Sequence, residues 1–461
     1  MSELTKEQKQ FKKMTESPVC PLVLRLALPT TVSMLVTGIY NTADTLFVSN
    51  LGKSPSAAVG VVFSLMALIQ AVGFTLGMGC GSIVSRSLGK KDTETAGKVF
   101  STSFFSALFI GILITIFGNI FIEPLMNRLG ATPTSLPYAK QYARYILFGA
   151  PVMMGSYVLN NIWRWEGKAV FSMFGIGLGG IINIILDPIF ITTMGLGISG
   201  AAIATLLSQS ISFVLLFMPI VFKKNVSRLS LKLFSRDVSI HTNIWFTGLP
   251  SLLRQGLASL STIFLNLEAG RLAGDAALSA MGIFGKVFML IFCFILGIGQ
   301  GYQPVLGYNY GAKKWKRVKT AFIFTYIFST TLMIIFGIIL FITAPYIMPL
   351  FIKDGETIAI GTRALRLEAV VMPLLTANVM CNMTFQSLGQ RFKASFLSCL
   401  RQGVFFIPCV LLLPYFWKIH GVEAIYPVSD VLTFLTSVPF ALKYLDDLTK
   451  GKLKGQDGPI E

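Results

Sequence analysis

Asn183 and Asp187 stand four residues apart in the run GGIINIILDPIFITT (179–193), so on a helix they share one face. Thr37, Tyr40 and Asp44, at spacings of three and four within VTGIYNTADTLFV, make a second polar stripe. Thr205, in GISGAAIAT, is a third candidate. Carboxylates, an amide oxygen and a hydroxyl are hard oxygen donors of the kind that hold Na⁺. Two carboxylates brought together also resist being ionised at once, which suits proton exchange. Each acid interrupts an otherwise apolar stretch, where an ionisable group is costly and marks a functional site by default. A hydrogen bond between helices is the plainer reading of both acids.

The surrounding elements decide between these readings. Of 461 residues, 53% are hydrophobic and only 13% charged, with mean hydropathy +0.69. That is too little charge to clothe a soluble protein of this length. Apolar runs of membrane-spanning length recur throughout, far longer than the ~10-residue alternating strands of a membrane barrel. They predict twelve spans, six at roughly 21–48, 57–84, 99–122, 138–162, 168–192 and 197–222. Six more follow at roughly 243–268, 277–303, 320–345, 362–386, 393–416 and 424–442.

The formal charge of +18 does not point to nucleic acid, because Lys and Arg gather in short loops between the runs. With the N-terminus inside, one face collects Lys12, Lys13, Lys90, Lys91, Arg164, Lys168, Lys223, Lys224, Lys313, Lys314 and Arg391, among others. The opposite face holds little beyond Lys53, Arg128, Arg271, Lys353 and Lys418. This asymmetry predicts a multi-pass protein of the cell (inner) membrane with both termini cytoplasmic. The first and fifth spans then run outward and the sixth inward. Asp44 and Asp187 fall ~5 residues from their outer ends and Thr205 ~8 residues into its span, a similar depth at ~1.5 Å per residue. That shared depth favours a site over isolated hydrogen bonds.

The two halves repeat. FTLGMGCG (74–81) and FILGIGQG (294–301) share one glycine pattern. Arg144/Arg366, Pro151/Pro373, Asn160/Asn382, Gly167/Gly389 and Phe174/Phe396 follow at an offset of 222. Repeats an even number of spans apart keep one orientation, so the expectation is two six-helix lobes related by a parallel pseudo-twofold axis along the membrane normal. The division expected is a cytoplasmic N-terminal segment (1–20), N-lobe (21–222), cytoplasmic linker (223–242), C-lobe (243–442) and cytoplasmic tail (443–461). A cleft between two such bundles is transporter architecture. At the positions matching the N-lobe acids and Asn183, the second half has Leu265, Cys409 and Phe405, so the polar site belongs to one lobe.

Other signals are weak. The glycine strings lie inside apolar helices and read as close packing, not a phosphate cradle. Six cysteines lack metal or CxxC spacing and read as buried thiols. His241 and His420 sit at span edges, with no nucleophile and base beside them, so an enzyme is not expected. No cofactor and no nucleic-acid partner is expected.

The sequence resembles the multidrug and toxic compound extrusion (MATE) family along nearly its whole length. The resemblance rests on PTTVSMLVTGIYNTADTLFVSNLG, GCGSIVSRSLGKKD, NNIWRWEGKAVFSM, NIILDPIF and GISGAAIAT. It implies a secondary antiporter exporting drugs or other organic, often cationic and amphipathic, compounds in exchange for Na⁺ or H⁺; a monomer in membrane lipid is expected. In the branch with acids in the first and fifth spans, the cation site corresponds to Asp44, Asn183, Asp187 and Thr205, and Tyr40 and Asn160 line the N-lobe cavity. Met34, Met153 and Met154 are further cavity candidates by their apolar, adaptable side chains. Other branches carry an acid deep in the seventh span, where this chain has Arg254 and Gln255. The alternative is a lipid-linked or polysaccharide flippase, for which Arg254, Lys286 and Arg401 within second-half spans would hold a pyrophosphate.

Overall fold

The structure is a computed structural model that describes residues 5–49 and 53–449, with side chains described for 5–40 and 54–448. Apolar residues all round each segment leave only helices able to satisfy their own backbone in lipid, and every regular element among the described residues is a helix. A short helix α1 (Lys6–Glu16) precedes α2 (Val19–Ser49), α3 (Lys53–Gly89), α4 (Thr93–Ile120), α5 (Ile122–Arg128), α6 (Leu136–Trp165), α7 (Ala169–Pro188) and α8 (Gly197–Val221). The second half comprises α9 (Val238–Gly311), α10 (Trp315–Phe351), α11 (Gly355–Val371), α12 (Leu375–Ser387), α13 (Arg391–Cys399) and α14 (Phe406–Thr449).

Among the described residues, nine helical stretches are long and apolar enough to cross a membrane. Two of them are double. The 74 residues of α9 would extend ~110 Å if straight, over three times a ~30 Å hydrocarbon core. The chain instead reverses at Ala273 (φ −139°) and Gly274 (φ 55°). The stretch Arg391–Leu448 reverses in the same way at Lys418 (φ 50°). With α6, whose Lys140, Arg144 and Arg164 dilute its hydropathy, these make the twelve spans expected. α11 and α12 form one span, interrupted by a 3₁₀ turn at Met372–Leu374 where Pro373 removes a backbone donor.

The lobes meet through the repeated glycine strings. A Cβ on Gly79 of α3 would collide with the backbone of Ile244 on the first limb of α9. Gly301, in the matching string on the second limb, would collide with Ala27 of α2. Each lobe thus lends its second span to the other's first, as a pseudo-twofold requires. Thr30 Oγ1 donates to the Gly297 carbonyl (2.6 Å) and Ser82 Oγ to the Gln386 carbonyl (2.7 Å) across the same seam.

The polar N-terminal segment contributes a helix not foreseen in the sequence. Thr5 and Gln8 form a capping box on α1, and Met14 is fully buried. Asn309 and Arg317 donate to the Met14 and Ser17 carbonyls (3.0 and 2.6 Å), tying α1 to the C-lobe. Gln10 Nε2 donates to the Glu166 carbonyl (2.6 Å), tying it to the N-lobe. Cys80, Cys293, Cys381 and Cys409 are buried thiols, whereas Cys20 and Cys399 are half-exposed.

Candidate functional site

α7 places Asn183 and Asp187 on one buried face, 3% and 0% exposed, and Asn183 Nδ2 donates to Asp187 Oδ1 (3.3 Å). Pro188, which has no N–H to donate, follows at once, and the next five residues, Ile189–Thr193, form a π-turn. The helix is therefore widened just beyond the acid. Thr205 of α8 is buried, its hydroxyl donating to the Ala201 carbonyl (3.0 Å). Tyr40 of α2 packs against Gly180 of α7. The helical backbone of α2 continues past Asp44, but the Asp44 side chain lies outside the described residues.

These helices line a cavity of about 310 Å³ between the lobes. Met34, Tyr40, Asn160, Asn183 and Thr205 are among its lining residues, with Arg254, Gln255 and Gln300 facing them from α9. Met153 and Met154 are not. Both are buried (3% and 0%) in the N-lobe core, where Gly73 abuts the Met154 backbone, so they serve packing. Asn160 does two things: it borders the cavity, and its amide donates to Ser172 Oγ and to the Ser172 carbonyl. Its repeat mate Asn382 donates to the Ala394 carbonyl and Ser398 Oγ (2.6 Å each), so the brace across the turn is shared by both lobes.

The cationic candidates separate. Arg254 reaches the cavity and Lys286 is exposed on α9. Arg401, on the π-turn Leu400–Val404, is bound inside the C-lobe. Its Nε and Nη2 donate to the two Asp430 oxygens (2.6 and 3.1 Å), and Glu368 lies 4.0 Å away. The guanidinium also rests on the Phe288 and Phe292 rings, each 5.1 Å from the centroid. Sequence reading left Glu368 and Asp430 unplaced because each falls near the end of a long apolar run; an Arg and two acids in three successive spans was the available signal. Arg164, expected in a cytoplasmic loop, is instead 2% exposed and donates to Gln300 Oε1 and Asn161 Oδ1. No group of three or more His, Cys, Asp or Glu gathers as a metal site among the described residues.

The MatE family model matches residues 29–189 and 250–410, one copy in each lobe. The chain belongs to the MatE family. A multidrug export protein MepA of Staphylococcus saprophyticus subsp. saprophyticus is 24% identical over 456 residues, spanning 98% of this chain and 100% of that protein. MepA of Staphylococcus aureus (strain MSSA476) is 25% identical over 96% of this chain and 98% of its own. Among solved structures, an outward-facing multidrug resistance MATE transporter of the MOP superfamily superposes with TM-score 0.91 at 28% identity, covering 97% of this chain and 100% of its own. A MOP superfamily transporter from Pyrococcus furiosus Vc1, described as having a binding pocket of reverse polarity that suggests a different function, gives 0.89 at 28% identity, with the same coverage of both chains. As a MatE protein the chain is a multi-pass membrane transporter, not an enzyme.

Proposed function

We propose that this MatE protein is a secondary active antiporter exporting drug-like organic compounds in exchange for Na⁺ or H⁺ by alternating access of its lobes. The observation that carries this reading is the Asn183–Asp187 pair beside a cavity between two lobes. The multidrug export role named for the MepA relatives supports the cargo class. Asp44, Asn183, Asp187 and Thr205 form the coupling site. Na⁺ or a proton entering there neutralises an acid that apolar surroundings hold at high cost, and the widened turn after Pro188 lets α7 respond.

Coupling requires the ion to bind one lobe arrangement better than the other, since equal affinity moves no equilibrium. The seam at Gly79, Ser82 and Gly301 lies toward the basic end of the molecule, which the charge asymmetry assigns to the cytoplasm, and this supports a cavity reached from outside. Both termini are cytoplasmic, the lobes are 21–222 and 243–442 joined by 223–242, and the working unit is a monomer in lipid. The test is efflux from proteoliposomes under imposed Na⁺ or H⁺ gradients. Transport that follows neither gradient sinks the antiport reading.

A further inference from the structure

The described lining of the cavity carries a single charge. Among its described lining residues Arg254 is the one charged side chain, and the polar remainder is rich in amides: Gln70, Gln209, Gln255 and Gln300. No described residue supplies Arg254 with a carboxylate or a hydrogen-bond acceptor. The Gln255 amide nitrogen beside it is buried and likewise without a partner. Behind the wall sits a second guanidinium, Arg164, 5.9 Å from the centroid of the Phe74 ring and bonded to Gln300, both of which line the cavity. Arg164 reaches neutral amides on Asn161 and Gln300, and its Nε has no acceptor.

Buried charges in proteins are ordinarily paired, because an uncompensated one pays its desolvation in full. Here Arg164 is buried behind one cavity and Arg254 is half-buried in its wall, with amides and ring faces around them. In the C-lobe, by contrast, Arg401 has its carboxylates built in. The missing partner of Arg254 is then best supplied by the cargo.

We propose that the cavity seats the anionic group of an amphiphilic substrate, a carboxylate, sulfonate or phosphate, on Arg254. Gln255 donates beside it, and Gln300 Nε2, now facing only the Met34 sulfur at 3.8 Å, turns to the same group. The planar guanidinium fork matches such oxyanions with two parallel hydrogen bonds. The apolar part lies along Met34, Phe74, Met289 and Leu296. At about 310 Å³ the space suits one drug-sized molecule or the head and first carbons of a lipid. This assignment rests on the transport reading and narrows its cargo to anions, where the family resemblance implies compounds that are often cationic.

The test uses the full chain, purified and in proteoliposomes, with fluorescein as anionic probe, ethidium as cationic probe and NBD-labelled phosphatidylglycerol as lipid probe. The wild type is expected to bind fluorescein more tightly than ethidium. Arg254→Gln should weaken fluorescein binding at least about tenfold, and Arg254→Lys, which keeps the charge, should recover most of it. Size-exclusion profiles of both variants show whether they fold. Arg254-dependent translocation of the labelled lipid would assign the same anion site to a lipid head group. Equal fluorescein binding by wild type and a folded Arg254→Gln overturns the proposal, as does a wild type that binds only ethidium. Gradient-driven ethidium export with fluorescein ignored removes the anion site and leaves the antiporter standing. Fluorescein bound through Arg254 but exported under no gradient does the reverse.

Discussion

The two lobes share a scaffold and differ in how they place charge. The brace at Asn160 recurs at Asn382, the turn glycines Gly167 and Gly389 adopt φ of 77° and 76°, and Gly79 and Gly301 each meet the first span of the other lobe. A left-handed turn residue without a Cβ is what both interhelical corners require. Chemistry does not repeat. Where the N-lobe has Asn183 and Asp187, the C-lobe has Phe405 and Cys409, with Leu265 opposite Asp44, and Leu265 and Cys409 sit in its apolar core. Two of the C-lobe acids lie elsewhere, Glu368 on α11 and Asp430 on α14, where Arg401 bonds to Asp430 at 2.6 Å and stands 4.0 Å from Glu368. One lobe keeps an acid beside a neutral amide, the arrangement proposed above as the ion site. The other gathers its cation and acids into one internal cluster. Duplication fixes helix geometry, and single substitutions then decide where each copy keeps its acids.

The largest effect should come from removing the N-lobe acid. Asp187→Asn keeps the shape and the hydrogen bond to Asn183 but removes the negative charge that a cation or proton would neutralise. Gradient-driven efflux should fall to the level of empty vesicles, with the protein still monodisperse in detergent. Cys409→Ser, at the matched C-lobe position, should stay within about twofold of wild type, because the site there is dry packing. Full coupling in Asp187→Asn would end the claim that the lobes differ in function.

Next in size is the C-lobe pair. Arg401→Gln leaves Asp430 and Glu368 buried without their cation, and breaking such a pair costs about 3–5 kcal/mol. Thermal unfolding in detergent should show a large drop. Replacing Arg401, Glu368 and Asp430 together by Met or Leu should recover much of it, since apolar packing of similar volume is commonly as stable. If Arg401→Gln unfolds like wild type, the cluster is not self-compensating.

Much of this was legible in the residues, and the limits have physical causes. Twelve spans, the repeat and the shared face of Asn183 and Asp187 follow from apolar length and helical spacing, which are local properties. Met153 and Met154 went astray because an adaptable apolar side chain reads the same toward a cavity as toward a core. Arg164 was misread because a charge near a span end is ordinarily solvated, and what holds it inside is Gln300 of the other lobe. Arg254 facing the cavity and Arg401 meeting Asp430 are equally non-local facts. α1 escaped because it is too polar to span a membrane, and its burial depends on partners 150 to 300 residues away.

The seam offers a smaller perturbation that asks whether the lobes are coupled symmetrically. Gly301→Ala and Gly79→Ala each add one methyl against a facing backbone, and overpacking of this kind costs about 1–3 kcal/mol. Both should lower the unfolding temperature by similar amounts. A large effect at one and none at the other would show that the pseudo-twofold does not extend to the interface energetics.

The smallest expected effect lies at the matched interhelical corners, Glu166 in the N-lobe and Leu388 in the C-lobe. Glu166 is fully buried, accepts the Val226 and Ser227 N–H groups (2.9 and 2.8 Å) and lies 3.5 Å from Lys168 Nζ, so it pins the linker to its lobe. Glu166→Gln keeps one acceptor and loses the charge, for a cost of about 1–2 kcal/mol. Burial lowers the Lys168 pKa, and Glu166 opposes that fall. A lysine whose folded pKa lies below its unfolded value weakens the fold while charged, and stability recovers as pH rises from the folded toward the unfolded value. Without Glu166 the lowering deepens, so the deficit of Glu166→Gln should be larger at pH 7 than near pH 10. Unfolding curves at the two values measure it. A deficit independent of pH would mean that Glu166 acts through its backbone clamps alone, leaving the linker hold of the N-lobe as a matter of hydrogen bonds and not of charge.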